Sequence, residues 1–116
     1  MSETIIKKPW GWEKIWAHTE TYVGKVLHIY RGHRLSEQYH RAKDETIYVL
    51  SGVLQLELDG GKQVSYLTEG ESHRIKPGTV HRFIAPKHAS DVELIEVSTP
   101  ELNDVVRTRD DYNRAN

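Results

Sequence analysis

Apolar and polar residues alternate along much of the chain. In VLQLELDGGKQVSY, Leu54, Leu56 and Leu58 fall on one side and Gln55, Glu57 and Asp59 on the other. That is the two-residue period of a half-buried strand. Asp59-Gly60-Gly61 follows at once, then Val64 and Tyr66 resume the alternation, which predicts a hairpin turning at 59–61. Further strands are predicted over 22–30, 36–40, 45–50, 71–75, 79–85 and 91–98, with glycines at 32, 52, 70 and 78 between them. Many short strands with frequent turn signals argue for an antiparallel sandwich or a small barrel. Residues 100–116 lose the alternation and predict a turn, a short helix or an ordered arm. Trp10, Trp12 and Trp16 share parity and predict one apolar face, packed on the barrel or on a second subunit.

A chain of 116 residues has room for one core. The expected division is an N-terminal arm over about residues 1–20, a barrel over about 21–99 and a C-terminal arm over about 100–116. Sixteen basic and 17 acidic residues leave a formal net charge of -1, so no basic excess points to nucleic acid. There is no cysteine, which excludes disulfides, thiolate metal sites and a cysteine nucleophile. The opening MSETIIKKPW lacks the apolar segment of a signal peptide, and no apolar run approaches the roughly 20 residues that span a bilayer. The expectation is a soluble cytoplasmic protein.

The candidate chemistry starts in LSEQYHRAKDETIYVLSG, residues 35–52. Gln38 and His40 have the same parity and so point to one face of a strand. Glu45 opens the next strand, after the short connection Arg41 to Asp44. If the two strands pair as a hairpin, the three side chains converge inside a barrel. A second element, IKPGTVHRF, places a Pro77-Gly78 turn just ahead of His81. Gln38, His40, Glu45 and His81 together make a mixed nitrogen and oxygen set. It suits one divalent ion, Zn foremost, with Mn, Fe, Co or Ni also fitting. Spacing of this kind also occurs on solvated strands, and alone it does not choose between the two.

At these residues the chain resembles a known superfamily. Gly32, five residues, Gln38-x-His40, four residues, Glu45, six residues and Gly52 resemble the first motif of the cupins, with Gln38 at a position that is usually His. Gly70, six residues, Pro77-Gly78, two residues and His81 resemble the second. More narrowly, KPWGWEKI, LSEQYH, PGTVHR and DVVRTRDDYNR are similar to the mannose-6-phosphate isomerase domain of type II phosphomannose isomerases. That domain is often fused behind a mannose-1-phosphate guanylyltransferase domain. Asp111-Tyr112-Asn113-Arg114 departs from the usual Asp-x-Tyr-Gly-Arg, and Arg31-Gly32 replaces Pro-Gly.

The resemblance implies an all-β, single-domain cupin, a double-stranded β-helix or jelly-roll barrel. It also implies a homodimer and a divalent metal held by Gln38, His40, Glu45 and His81. The implied activity interconverts mannose 6-phosphate and fructose 6-phosphate through a metal-stabilised enediol(ate). Lys25 and Arg107 would be catalytic, Lys25 as a candidate base and Arg107 as a cation over the site. Arg34 and Arg114 would bind the sugar phosphate, although Arg114 also suits a tail anchor and Arg34 a solvated loop position. Arg31 is placed like Arg34, His73 is a second candidate base, and Arg82 is expected to be structural or at an interface. Two other readings stay open: a small cupin that binds a sugar or sugar phosphate without turning it over, and a different metal-dependent cupin enzyme such as an oxygenase.

Overall fold

The computed structural model describes residues 4–114 and is almost entirely β. Its strands are β1 (Thr4–Lys8), β2 (Gly11–His18), β3 (Val23–Ile29), β4 (Glu37–Tyr39), β5 (Glu45–Ser51), β6 (Leu54–Leu58), β7 (Gln63–Leu67), β8 (Ser72–Ile75), β9 (His81–Ile84), β10 (Val92–Ser98) and β11 (Val106–Arg109). They form two antiparallel sheets, ordered β1-β2-β3-β10-β5-β8 and β11-β4-β9-β6-β7. No helix among the described residues is long and apolar enough to cross a membrane.

Each predicted strand is present within a residue or two at either end. The β6–β7 hairpin turns at Asp59, Gly60 and Gly61, which take φ of 54°, 67° and 92°. Glycine reaches that region without a Cβ clash, and aspartate tolerates it better than most residues.

Both predicted arms differ from expectation. Residues 4–18 are not an arm but a hairpin, paired through β2 along most of β3. It turns at Pro9-Trp10, and Gly11 opens β2. A Cβ on Gly11 would lie 1.8 Å from the His28 carbonyl oxygen, so only glycine lets β2 approach β3 there. The turn also breaks the shared face expected of the tryptophans. Trp10 precedes the strand and is buried in the core. Trp12 stacks on His28 outside the sheet, and Trp16 lies over Gly24, where a Cβ would meet its ring at 2.5 Å. At the other end the chain returns as β11, an edge strand beside β4.

The space between the sheets is layered. Val92 pairs with Ile29, and Leu94 with Leu27 and Val49. With Ile47, Leu54, Leu56, Ile75 and Phe83 they make a dry apolar half. One step further along the same inward positions, Glu96 pairs with Lys25, and Ser98 with Glu45. The polar half is therefore built from the same strands as the core.

On the outer face, His28 directs Nδ1 at Glu93 (2.8 Å) and Nε2 at Asp91 (2.9 Å). Only the imidazolium donates from both nitrogens. Burial alone would lower the His28 pKa, but these two hydrogen bonds outweigh it and raise it. A raised folded-state pKa stabilises fully below the unfolded value, about 6.5. The gain is lost as pH rises through the folded value. A His28→Gln variant should therefore melt below the wild type by roughly 2–6 °C in acid, with the gap closing as the pH is raised above neutrality. Thermal melts from about pH 5 to 9 test this, and a pH-independent gap would refute it.

Candidate metal centre

Glu45 and His81 each open a strand, but in different sheets. His40 follows β4 and shares the sheet of His81. The expected β4–β5 hairpin is thus replaced by a crossover: Arg41 to Asp44 carry the chain from one sheet to the other. The convergence survives because the facing sheets close on each other. His40 Nε2 lies 3.1 Å from Glu45 Oε1, and His81 Nε2 lies 3.3 Å from the same oxygen. The three side chains are 3 %, 2 % and 1 % exposed as residues His40, Glu45 and His81.

The imidazole tautomers follow from their other nitrogens. His40 Nδ1 faces the Asp104 carbonyl oxygen, and His81 Nδ1 faces the Thr79 carbonyl oxygen at 2.8 Å. A carbonyl only accepts, so each Nδ1 carries a proton and each Nε2 is the ring atom turned to Glu45. Two imidazole nitrogens and a carboxylate oxygen meet in one buried place. Burial would raise the Glu45 pKa, but hydrogen bonds from His40 and His81 and the charge of Lys43 outweigh it and hold it well below the usual range. The ligand atoms of the three residues all lie within 4.8 Å of one another, close enough to hold one metal ion. His81 Nε2 is buried with no hydrogen-bond partner, as expected of a site whose satisfying group is an ion. The donor set fits a divalent metal of the Zn, Mn, Fe, Co or Ni type.

Gln38 is paired in register with His81 and lines the same cavity. Its Oε1 accepts from Ser36 Oγ at 2.7 Å, which fixes the amide while leaving that oxygen a second lone pair. The cavity, about 410 Å³, is also lined by Lys8, Glu13, Lys25, Lys43, Glu96, Arg107 and Arg114. Lys25 is buried and donates to Glu13 Oε2 at 3.4 Å. Arg114 is held by Asp110 at 2.9 and 3.0 Å and sits over the Tyr112 ring. Burial and the neighbouring Arg114 charge lower the Arg107 pKa.

The structure does not bring Arg34 to this cavity. Its guanidinium grips Asp111 at 2.7 and 2.9 Å, and its side chain is 42 % exposed. Arg31 is exposed on the same loop. His73 pairs with Ile47 on β5, outside the cavity wall. Arg82 is buried and donates to the Leu35 carbonyl and to Asp111, the structural part expected of it.

Sequence reasoning missed Glu13, Lys43, Glu96 and Asp104. Glu13 and Glu96 had a visible signal, since each occupies an inward position of an alternating strand. Burial first, and then the Glu45 charge, push Glu96 up to about 7. Asp104 had none. Its carboxylate accepts from the backbone N–H groups of Arg41, Ala42 and Lys43 at 2.7–2.9 Å, which with its carbonyl on His40 makes residue 104 the clamp of the ligand loop.

Glu45→Ala or His81→Ala should abolish divalent-metal binding with the fold retained. Asp104→Ala should weaken it by about 10–100-fold, the usual cost of losing a group that orients a ligand. Competition against a chromophoric chelator measures both. Full metal occupancy in the Glu45 and His81 variants would remove the ligand assignment.

Comparison with known proteins agrees with this geometry. The model of the cupin domain family matches residues 25–98, a span holding all four candidate ligands. The chain is 31 % identical over 112 residues to a mannose-1-phosphate guanylyltransferase of Salmonella montevideo. It is 32 % identical over 112 residues to the xanthan biosynthesis protein XanB of Xanthomonas campestris pv. campestris. Each match takes in 94 % of this chain and 23 % of the relative, so the chain spans about a quarter of their length. The solved structure of an RmlC-like cupin from Shewanella frigidimarina superposes with a TM-score of 0.76 at 20 % identity, over 87 % of this chain and 86 % of that one. The chain belongs to the cupin domain family.

Proposed function

We propose that the protein is a metal-dependent aldose–ketose isomerase acting on a phosphorylated hexose, of the mannose 6-phosphate to fructose 6-phosphate type. The observation that carries this reading is that His40 and Glu45 of the candidate metal cluster line one cavity together with several cations. It is supported by the kinship with proteins named for mannose 1-phosphate chemistry.

The reaction moves a proton between two adjacent carbons while negative charge develops on a sugar oxygen. A divalent cation held by Gln38, His40, Glu45 and His81 would supply Lewis-acid stabilisation of that oxygen. A neutral amide among the ligands keeps the centre more positive than a second carboxylate would. Lys25, fixed by Glu13 on the wall, is placed for proton transfer. Arg107 and Arg114 stand together at the C-terminal side of the cavity, where two guanidiniums suit a phosphate. Leu27, Leu35, Phe83 and Trp10 make the apolar remainder of the lining, a surface for the carbon chain.

Metal-loaded protein should convert mannose 6-phosphate to fructose 6-phosphate in a coupled assay, and a chelator should stop it. Lys25→Met should lower kcat by about 10²-fold or more with a small change in KM. Arg107→Ala should act mainly on KM, by roughly tenfold. Binding of the sugar phosphate without turnover would instead identify a binding module.

A further inference from the structure

Two buried charges beside the ligand Glu45, Lys43 and Glu96, have no assigned part in the reading above. Lys43, Glu45 and Glu96 have side chains only 6 %, 1 % and 5 % exposed. Burying ionised groups is costly, and well-packed apolar residues in their place are often no less stable. Stability alone does not account for them.

The geometry of the row is directional. Glu45 presents Oε1 to both imidazoles, at 3.1 and 3.3 Å. Its Oε2 turns the other way, 3.6 Å from Lys43 Nζ. Lys43 Nζ is itself anchored at 3.0 Å on Glu96 Oε2. Glu96 comes from the middle of β10, on the strand next to that of Glu45. The ammonium thus has one fixed partner in the sheet and holds the second oxygen of Glu45 by charge.

We infer that Lys43, anchored by Glu96, is a positioning residue that keeps Glu45 a one-oxygen ligand of the ion. A carboxylate binds such ions through one oxygen or two. A second oxygen takes a coordination position that a substrate oxygen or water would otherwise occupy, and a catalytic centre needs such positions open. The inference rests on the metal-centre reading but not on the identity of the substrate.

The competing account makes Lys43 a staple for the loop 41–44. The loop is already secured without that side chain. Three of its backbone N–H groups bind Asp104. Asp44 N donates to Thr99 Oγ1, and Thr99 N returns a bond to the Asp44 carbonyl. The Asp44 carboxylate is also gripped by Arg74. A staple would be redundant here, whereas Lys43 is the cation beside Glu45 Oε2, and Glu96, which contacts both, completes the row.

The test uses the full chain loaded with Mn²⁺ and, separately, with Co²⁺. In Lys43→Met the freed oxygen should swing to the ion. Water-proton relaxivity of the Mn²⁺ form should then fall by roughly one coordinated water, and the Co²⁺ visible band should shift as a carboxylate oxygen replaces that water. Lys43→Arg, which keeps a cation in place, should restore both signals. Glu96→Gln, which releases the anchor with little change of shape, should move both part of the way. Unchanged relaxivity and spectrum in Lys43→Met overturn the inference. If Lys43→Met fails to fold or load, Glu96→Gln decides by the same two signals. Failure of the wild type to bind either ion would instead remove the metal centre, and the inference with it.

Discussion

The polar half of this barrel depends on one contact: the Glu45 carboxylate facing two imidazoles across the gap between the sheets. The hydrogen bonds on the far side of each ring fix its orientation, so each Nε2 faces the carboxylate. Closure of the barrel brings these groups together at a place that could hold a cation. In such sites part of the binding energy of the ion is folding energy. The chain supplies the rest of the restraint from outside the barrel. The segment after β10 returns to place Asp104 over the loop that follows His40, so the C-terminal strand is tied to the site by hydrogen bonds as well as by pairing with β4.

The layering explains how one small barrel holds both a core and a charged cavity. Inward positions on β3, β5 and β10 read Ile29, Leu27, Lys25; Val49, Ile47, Glu45; and Val92, Leu94, Glu96. The change from apolar to ionised falls at nearly the same depth on all three strands. Below it, dispersion and burial hold the sheets together. Above it, every buried carboxylate has a cation beside it: Glu13 has Lys25, and Glu96 has Lys43. Buried charge in pairs is tolerable, and unpaired it is not.

Much of the fold was legible because strand period is local. The alternation around Leu54 to Leu58 marks β6 with no knowledge of its partners, and Asp59-Gly60-Gly61 marks its turn. The first hairpin was not legible in the same way. Trp10, Trp12 and Trp16 suggest one face by parity, but Trp10 lies in the turn before β2, and the strand β2 bulges between Ile15 and Ala17. Either irregularity defeats parity counting. The ligands His40, Glu45 and His81 were legible as a set by motif, yet their meeting place was misread. A four-residue connection suggests a hairpin, whereas here it crosses between sheets, a choice set by tertiary pairing of β4 with β9 and β5 with β10. The pairing of Arg34 was not legible for a related reason: its partner Asp111 is 77 residues away in sequence.

The same reasoning separates residues that define the chemistry from those that tune it. A ligand set is written in residue types that few other roles require, so His40, Glu45 and His81 stand out. A tuning residue is an ordinary lysine or glutamate whose meaning lies in where it is buried. Lys43 sits in a loop sequence, Arg-Ala-Lys-Asp, that reads as solvated, and Glu96 in a strand where Glu93 of opposite parity is surface exposed in part. Only depth tells Glu96 from Glu93. An ionised residue at an inward strand position, in line with the ligand layer of its neighbours, is therefore the sequence signal for the wall of such a cavity, and it depends on knowing which strands are adjacent.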